Sequence, residues 1–222
     1  PSPAGNSLGP RRKDAPARMD AVRREEGGEM LVTGWNRAGW MERPRAVGDR
    51  IARLIGAEAG HVVMGDTLSI KVYQALAAAL EMRPDRRVIL SDSGNFPSDL
   101  YMAEGLTEML GDGHELRVVE PGTLADHLTE EVAVTLVTEV DYRTGRLHDM
   151  AALTRAAHAV GALTVWDLAH TAGATEVDVA GCGADFAVGC TYKYLNGGPG
   201  APAFIYVAPR HADRVKPALA GW

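Results

Sequence analysis

The sequence has few cysteines and no long apolar run, and both absences exclude classes of protein. Two cysteines, Cys182 and Cys190, are too few for a disulfide framework or a four-cysteine zinc site. We interpret them as small buried side chains in a reducing compartment, which predicts a cytoplasmic protein without a bound metal. No apolar run reaches the ~18–20 residues that cross a bilayer, so no membrane partner is expected.

Basic residues are also in the minority, which disfavours nucleic acid as a partner. The 23 lysines and arginines against 29 aspartates and glutamates give a formal charge of −6, whereas binding to a phosphate backbone requires a basic face. The loop Gly197–Gly200 does not fit G-x-G-x-x-G and no Walker lysine follows it, so nucleotide binding is not indicated. Instead, the sequence has 46% apolar residues, enough for a sizeable core, and 25 glycines, which let backbone approach a ligand closely.

Apolar segments typical of strands and helices alternate along the chain. Such alternation predicts βαβ units and therefore an α/β fold with a mainly parallel sheet flanked by helices. We predict one large domain over residues 46–222, preceded by an irregular segment over residues 1–45. The predicted strands are 61–64, 87–90, 116–119, 132–137, 163–166, 186–188 and 203–207, and the predicted helices are 46–56, 69–82, 97–110, 123–128 and 149–160.

Sheets of this kind bind ligands at the carboxyl ends of their strands, so the loops that follow the strands are the candidates for a site. After the first strand, Asp66–Ser69 opens a helix, where hydroxyl groups cap the helix or free N–H groups bind an anion. After the next strand, Phe96 precedes Pro97, a residue typical of a first helical turn. The Phe96 ring either packs on the core or stacks on a flat ligand.

Two later loops hold an aspartate and a lysine. Asp167 ends a buried strand, where its carboxylate either caps a helix or holds a proton on a heteroaromatic nitrogen. Lys193 lies between Tyr192 and Tyr194, flanks that favour an enclosed amine over a surface lysine, and a desolvated lysine forms a Schiff base readily. An amine for the aldehyde and a carboxylate for the ring nitrogen are what pyridoxal 5'-phosphate requires.

The motifs around these residues resemble those of the kynureninase family, which are fold-type I enzymes dependent on pyridoxal phosphate. The stretches Asp167–His170 (Asp-Leu-Ala-His) and Tyr192–Gly200 (Tyr-Lys-Tyr-Leu-Asn-Gly-Gly-Pro-Gly) are the most specific. The stretches Gly5–Pro10, Gly94–Tyr101 and Tyr142–Gly145 also agree, so the resemblance runs through nearly the whole chain.

The resemblance implies roles for individual residues. Lys193 would bind the cofactor's aldehyde, Asp167 would pair with its ring nitrogen, and Tyr192 would reach its phosphate and relay protons in catalysis. Asn6 and Ser7 would lie near the substrate. The other cofactor-binding residues that the resemblance implies are Leu68, Ser69, Phe96, Pro97, Ser98, Asp99, Thr138, His170 and Trp222.

The resemblance also implies the reaction, the assembly and a missing part. The reaction is hydrolytic cleavage of the Cβ–Cγ bond of L-kynurenine or 3-hydroxykynurenine to anthranilate and L-alanine, in tryptophan catabolism and NAD biosynthesis, by a cytoplasmic homodimer. Family chains carry a C-terminal small domain, so residues 46–222 would be the cofactor-binding large domain alone. Two alternatives stay open, namely another fold-type I enzyme such as a cysteine desulfurase or an epimerase, and an incomplete fragment that needs a partner.

Overall fold

Seven strands form one sheet in the part of the chain that the computed structural model describes, residues 7–220. The strand order across the sheet is β1-β7-β6-β5-β4-β2-β3, and only β7 runs antiparallel to its neighbours. The predicted mainly parallel α/β sheet is confirmed. The strands are β1 (Val62–Gly65), β2 (Val88–Asp92), β3 (Glu115–Val119), β4 (Val132–Thr138), β5 (Leu163–Asp167), β6 (Phe186–Cys190) and β7 (Ala203–Val207).

Helices cover both faces of the sheet. One face packs against α4 and α5, and the other against α3 and α6. Because both faces are covered, the central strands are continuous apolar runs, and every residue of β4 is buried. The helices are α1 (Ala15–Ala21), α2 (Gly34–Arg37), α3 (Arg43–Ala52), α4 (Leu68–Glu81), α5 (Pro97–Leu110) and α6 (Met150–Ala159).

The predicted strands from residue 46 onwards are all present, and most differences lie at the ends of elements. The predicted helix over 46–56 corresponds to α3, which begins at Arg43 and ends at Ala52. The predicted helix over 123–128 is a single 3₁₀ turn, Leu124–His127. Strands β2 and β6 each continue two residues beyond the predicted end, because Asp92 pairs with Val119 and Cys190 with Ala203. Those extra residues bring polar side chains to the carboxyl end of the sheet.

The segment over residues 1–45, predicted to be irregular, is helical over much of its described length. Helix α1 continues into a wider π-helical segment, Val22–Met30, and a 3₁₀ turn, Leu31–Thr33, leads into α2. Asp20 forms ion pairs with Arg23 and Arg24 one turn further on, which supports a helix built from alanine, arginine and glutamate. No residue of α1 is buried. The segment therefore lacks the periodic apolar residues by which an amphipathic helix is predicted from sequence.

The described helices are short. The longest, α4 and α5, have 14 residues each. Among residues 7–220, none is long and apolar enough to cross a bilayer.

Candidate active site

The carboxyl ends of five strands meet at one edge of the sheet and bring the predicted site residues together. Strand β1 leads into the start of α4, and β2 leads into Phe96 and the start of α5. Thr138 and Asp167 end the neighbouring strands β4 and β5 and are paired in the sheet register. Lys193 follows β6. The site therefore follows from strand direction, since parallel strands end at the same edge.

Lys193 is enclosed, with 5% of its surface exposed. Its Nζ lies 3.0 Å from Nε2 of His170. The same nitrogen is 5.1 Å from the centre of the Phe96 ring and 5.7 Å from that of Tyr192. The flanking tyrosines thus correctly indicated a buried amine. Contact with an imidazole nitrogen gives that amine a group with which to exchange a proton.

Asp167 and Asp99 form a buried carboxyl pair beside this lysine, and both are at most 1% exposed. Burial, and then the neighbouring Asp167 charge, raise the pKa of Asp99 well above its usual value. Burial also raises the pKa of Asp167, to about 6, against the lowering effects of the Ala169 N–H group and the Lys193 charge. Of the two carboxyls, Asp99 therefore binds a proton more tightly, and Asp167 more readily carries the negative charge of the pair.

One oxygen of Asp167 remains available to a ligand. Its Oδ1 accepts a hydrogen bond of 2.9 Å from the Ala169 N–H group. Apart from the Asp99 carboxyl, no group in the described part of the chain donates to the buried Oδ2. Because a buried carboxylate oxygen is costly when it lacks donors, a ligand N–H group at this position would be stabilised.

A cavity of about 270 Å³ lies in front of Lys193, close to the lower end of the range usual for ligand sites. The Leu68 and Ser69 N–H groups are in the first turn of α4 and have no partner within the helix. The Thr67 hydroxyl accepts a hydrogen bond of 3.4 Å from the Ile70 N–H group. Thr67 thus caps the helix while the Leu68 and Ser69 N–H groups stay available to an anion. The predicted residues that line the cavity are Leu68, Ser69, Phe96, Ser98, Tyr192 and Lys193.

An aromatic wall stands beside the cavity and contains one residue that was not predicted to belong to the site. The Tyr142 ring stacks on His170, with centroids 5.9 Å apart, and meets Phe96 edge-on at 4.9 Å. The Asn95 side chain accepts a hydrogen bond from the Phe96 N–H group and donates to the Leu136 carbonyl, which anchors this loop on β4. Tyr142 belongs to the loop after β4, and its place after a strand of the parallel sheet could have predicted that it belongs to the site.

The lining of this cavity does not include the predicted residues Ser7, Pro97, Asp99, Thr138, Asp167 and His170. Pro97 is the first residue of α5, and the Thr138 hydroxyl donates to the Val140 carbonyl at 3.1 Å. Ser7 is exposed, two residues before Gly9, whose N–H group donates to the Tyr192 carbonyl at 2.8 Å. Asn6 and Trp222 lie outside the described residues.

Tyr192 and the two cysteines have pKa values above their ordinary ones. Burial raises the pKa of Tyr192 to about 12, with the Cys190 thiol as the next cause. This phenol therefore keeps its proton at neutral pH. Burial also raises the pKa of both thiols. Cys190 is buried as predicted, whereas Cys182 is partly exposed.

No metal-binding cluster accompanies this cavity in the described part of the chain, and a larger groove lies elsewhere. Residues 7–220 hold no group of three or more histidine, cysteine, aspartate or glutamate side chains arranged to bind a metal. A larger open groove of about 880 Å³ lies between Leu54, His148 and Cys182 and includes none of the predicted site residues.

Comparison with known proteins identifies relatives of this chain. Residues 44–221 match the model of the family described as aminotransferase class-V. A protein named kynureninase from Deinococcus radiodurans is 54% identical over 98% of this chain and 54% of its own length. A kynureninase from Pseudomonas fluorescens is 51% identical over the same shares. The chain thus spans about half the length of the curated relatives that it matches.

Solved structures agree with the fold. A NifS-like protein superposes with a TM-score of 0.78 at 16% identity, covering 98% of this chain and 61% of its own. A cysteine desulfurase from Thermococcus onnurineus superposes with a TM-score of 0.75 at 22% identity, covering 98% and 56%. At such identities the likeness concerns the fold alone.

Proposed function

The chain belongs to the aminotransferase class-V family, and from that premise we propose that it is the large domain of a kynureninase. The reaction proposed is the hydrolytic cleavage of the Cβ–Cγ bond of L-kynurenine or 3-hydroxykynurenine, with L-alanine as one product. Identities of 51–54% to proteins named kynureninase support this substrate. The observation that carries the proposal is the buried Lys193 amine, which lines a cavity beside the Asp167–Asp99 carboxyl pair.

The cofactor proposed for this cavity is pyridoxal 5'-phosphate. When bound, it supplies an aldehyde that bonds to amines and a protonated ring that takes up electrons from the substrate. The residues fit this group at three places. Lys193 offers the amine, Asp167 Oδ2 offers an acceptor for a ring N–H group, and the first-turn N–H groups of Leu68 and Ser69 suit a phosphate.

The carboxyl pair would keep the ring nitrogen protonated. A neutral Asp99 beside an ionised Asp167 leaves one negative charge, which favours a positively charged N–H group in a site that excludes water. We propose both carboxyls as cofactor-binding residues.

Lys193 and His170 would carry the proton transfers near the substrate. Lys193 Nζ would hold the cofactor's aldehyde when no substrate is bound, and as a free amine it would accept the α-proton of a bound substrate. His170 Nε2, 3.0 Å from Lys193 Nζ, is within reach of that proton. Phe96 would stack on the cofactor ring, and Tyr142 would complete the same wall.

Tyr192 would serve as a hydrogen-bond donor and proton donor, rather than as a base. Its pKa of about 12 means that the phenol remains protonated at neutral pH unless a bound group changes its surroundings. General acid catalysis of this kind is typically worth about 10²–10⁴-fold in rate.

The other predictions about the whole protein are also proposals. We propose a cytoplasmic homodimer whose remaining domain corresponds to the part of the relatives that this chain does not cover. Asn6, Ser7 and Trp222 keep their proposed places near the substrate and the cofactor. A desulfurase is not favoured, since burial raises the pKa of both Cys182 and Cys190, whereas a reactive thiol requires a lowered pKa.

The experiment that tests this function combines a spectrum with an assay. Pyridoxal 5'-phosphate is added to the chain, its visible absorption is recorded, and anthranilate fluorescence is followed after addition of kynurenine. Lys193→Ala is expected to abolish the visible band, whereas Lys216→Ala, an exposed lysine paired with Glu81, is expected to keep it. A band that persists in Lys193→Ala contradicts the assignment of this lysine. A band without anthranilate supports a fragment that needs its partner domain.

A further inference from the structure

A second lysine lies close to the cavity, behind the start of α4. Lys71 is 6% exposed, and its Nζ lies 2.9 Å from Oδ2 of Asp66 and 3.0 Å from Oε1 of Gln74. The Asp66 side chain is 50% exposed and lines the same cavity as Lys193. No sequence motif pointed to this pair.

The negative charge of Asp66 would repel the phosphate that is proposed to bind at this end of the cavity. The N–H groups of Leu68 and Ser69 attract an anion, and a helix N-terminus adds a favourable dipole. A free carboxylate two residues before them would repel a phosphate dianion. An ammonium 2.9 Å away, on a side chain that is only 8% exposed, offsets that charge at short range.

We propose that Lys71 is a positioning residue that neutralises Asp66, so that the α4 end of the cavity accepts the phosphate of its ligand. The inference rests on the proposed cofactor and deepens it, because it names what makes a cavity with an acidic wall selective for a phosphorylated ligand. Lys71 contacts Asp66 rather than the ligand.

The structure also holds this lysine in place. Gln74 accepts from Lys71 through Oε1 and donates through Nε2 to the Leu219 carbonyl at 3.1 Å, so the network continues to the last described residues. Asp66 has a φ of +52°, a left-handed conformation that a non-glycine residue adopts at a cost. The ion pair with Lys71 contributes to holding that turn, and with it the direction of the first α4 N–H groups.

The test compares two ligands that differ only in the phosphate, pyridoxal 5'-phosphate and pyridoxal, through their Kd values in absorbance titrations. Lys71→Met is expected to lower the preference for the phosphorylated ligand by about three- to fivefold, the effect of one half-exposed charge. The double variant Asp66→Asn/Lys71→Met is expected to recover most of the preference, because it removes the repelling carboxylate. Lys216→Met, an exposed lysine, is the matched control and is expected to bind as the wild type does.

The outcomes separate this inference from the proposed function. Equal weakening of both ligands in Lys71→Met, or no recovery in the double variant, overturns the inference alone and leaves the cofactor proposal standing. A wild-type chain that binds neither ligand overturns both. Should Lys71→Met fail to fold, Asp66→Asn alone decides, since it is expected to preserve or strengthen the preference for phosphate and a clear fall contradicts the inference.

Discussion

Two buried aspartates, at opposite ends of the neighbouring strands β5 and β6, differ in how many hydrogen-bond donors surround them. Asp167, at the carboxyl end of β5, accepts one hydrogen bond from a backbone N–H group and faces another carboxyl. Asp185, just before β6, is as deeply buried but is surrounded by donors. The groups within hydrogen-bond distance of Asp185 are the Thr164 N–H and hydroxyl groups, His158, Arg210 and His211.

The pKa values express the same difference. Burial alone would raise the pKa of Asp185, but hydrogen bonds from His211, His158 and Arg210 outweigh it and lower the pKa. For Asp167 burial prevails and the pKa rises to about 6. A buried carboxylate surrounded by donors stabilises the fold, whereas one with few donors can accept further hydrogen bonds from a ligand.

The largest expected effect on stability is at Asp185. Asp185→Asn removes the acceptor shared by two histidines and an arginine. We expect a loss of about 2–3 kcal/mol in the free energy of unfolding, which is below the ~3–5 kcal/mol of fully buried pairs because His158 and Arg210 are partly exposed. Asp167→Asn, the matched control, is expected to cost less than about 1 kcal/mol because few donors lose a partner. Urea denaturation measures both, and equal losses contradict the distinction.

The pH dependence of stability sharpens the comparison. A pKa of about 6 in the folded state, above the ordinary 3.8, means that Asp167 binds protons more tightly when folded, so its contribution to stability falls as pH rises through that window. The lowered pKa of Asp185 has the opposite sign, and its contribution is present above about pH 3.8 and lost on acidification.

We therefore expect Asp167→Asn to gain stability relative to the wild type between about pH 4 and 6, by on the order of 1 kcal/mol. The deficit of Asp185→Asn should shrink below about pH 3.8. Unfolding curves across this range measure both trends, and a deficit of Asp167→Asn that grows with pH is the contrary result.

The smallest effect concerns the aromatic wall on the ligand side of the comparison. Tyr142→Leu removes a ring that contacts Phe96 and His170, and we expect pyridoxal 5'-phosphate to bind about three- to fivefold more weakly, as for the loss of one aromatic contact. Tyr101→Leu changes a tyrosine that is 64% exposed on α5 and serves as the control. Unchanged affinity in Tyr142→Leu would remove this residue from the site.

The predictable part of this molecule is the part with strong local patterns. Apolar runs such as Val132–Val137 indicate buried strands, and Pro97 marks the start of α5. Strand direction then places Asp167 and Lys193 at the same edge without knowledge of any long-range contact. The kynureninase resemblance is confirmed by the comparisons at the level of the family.

The features that were not predicted depend on contacts between residues distant in sequence, or leave no recognisable pattern in the local sequence. Nothing in 203–207 distinguishes an antiparallel strand from a parallel one, so the direction of β7 was not predicted. Contacts of Tyr142 with Phe96 and His170 require three separate loops to meet. The Lys71–Asp66 pair was missed because the sequence does not reveal that a helical lysine turns towards the preceding loop.

The most direct test of the central claim locates the bond to the cofactor. The chain is mixed with pyridoxal 5'-phosphate, reduced with borohydride, digested and sequenced by mass spectrometry, which distinguishes its four lysines, Lys13, Lys71, Lys193 and Lys216. The account predicts the pyridoxyl group on Lys193. Label on another lysine in its place, or no label, would contradict the account.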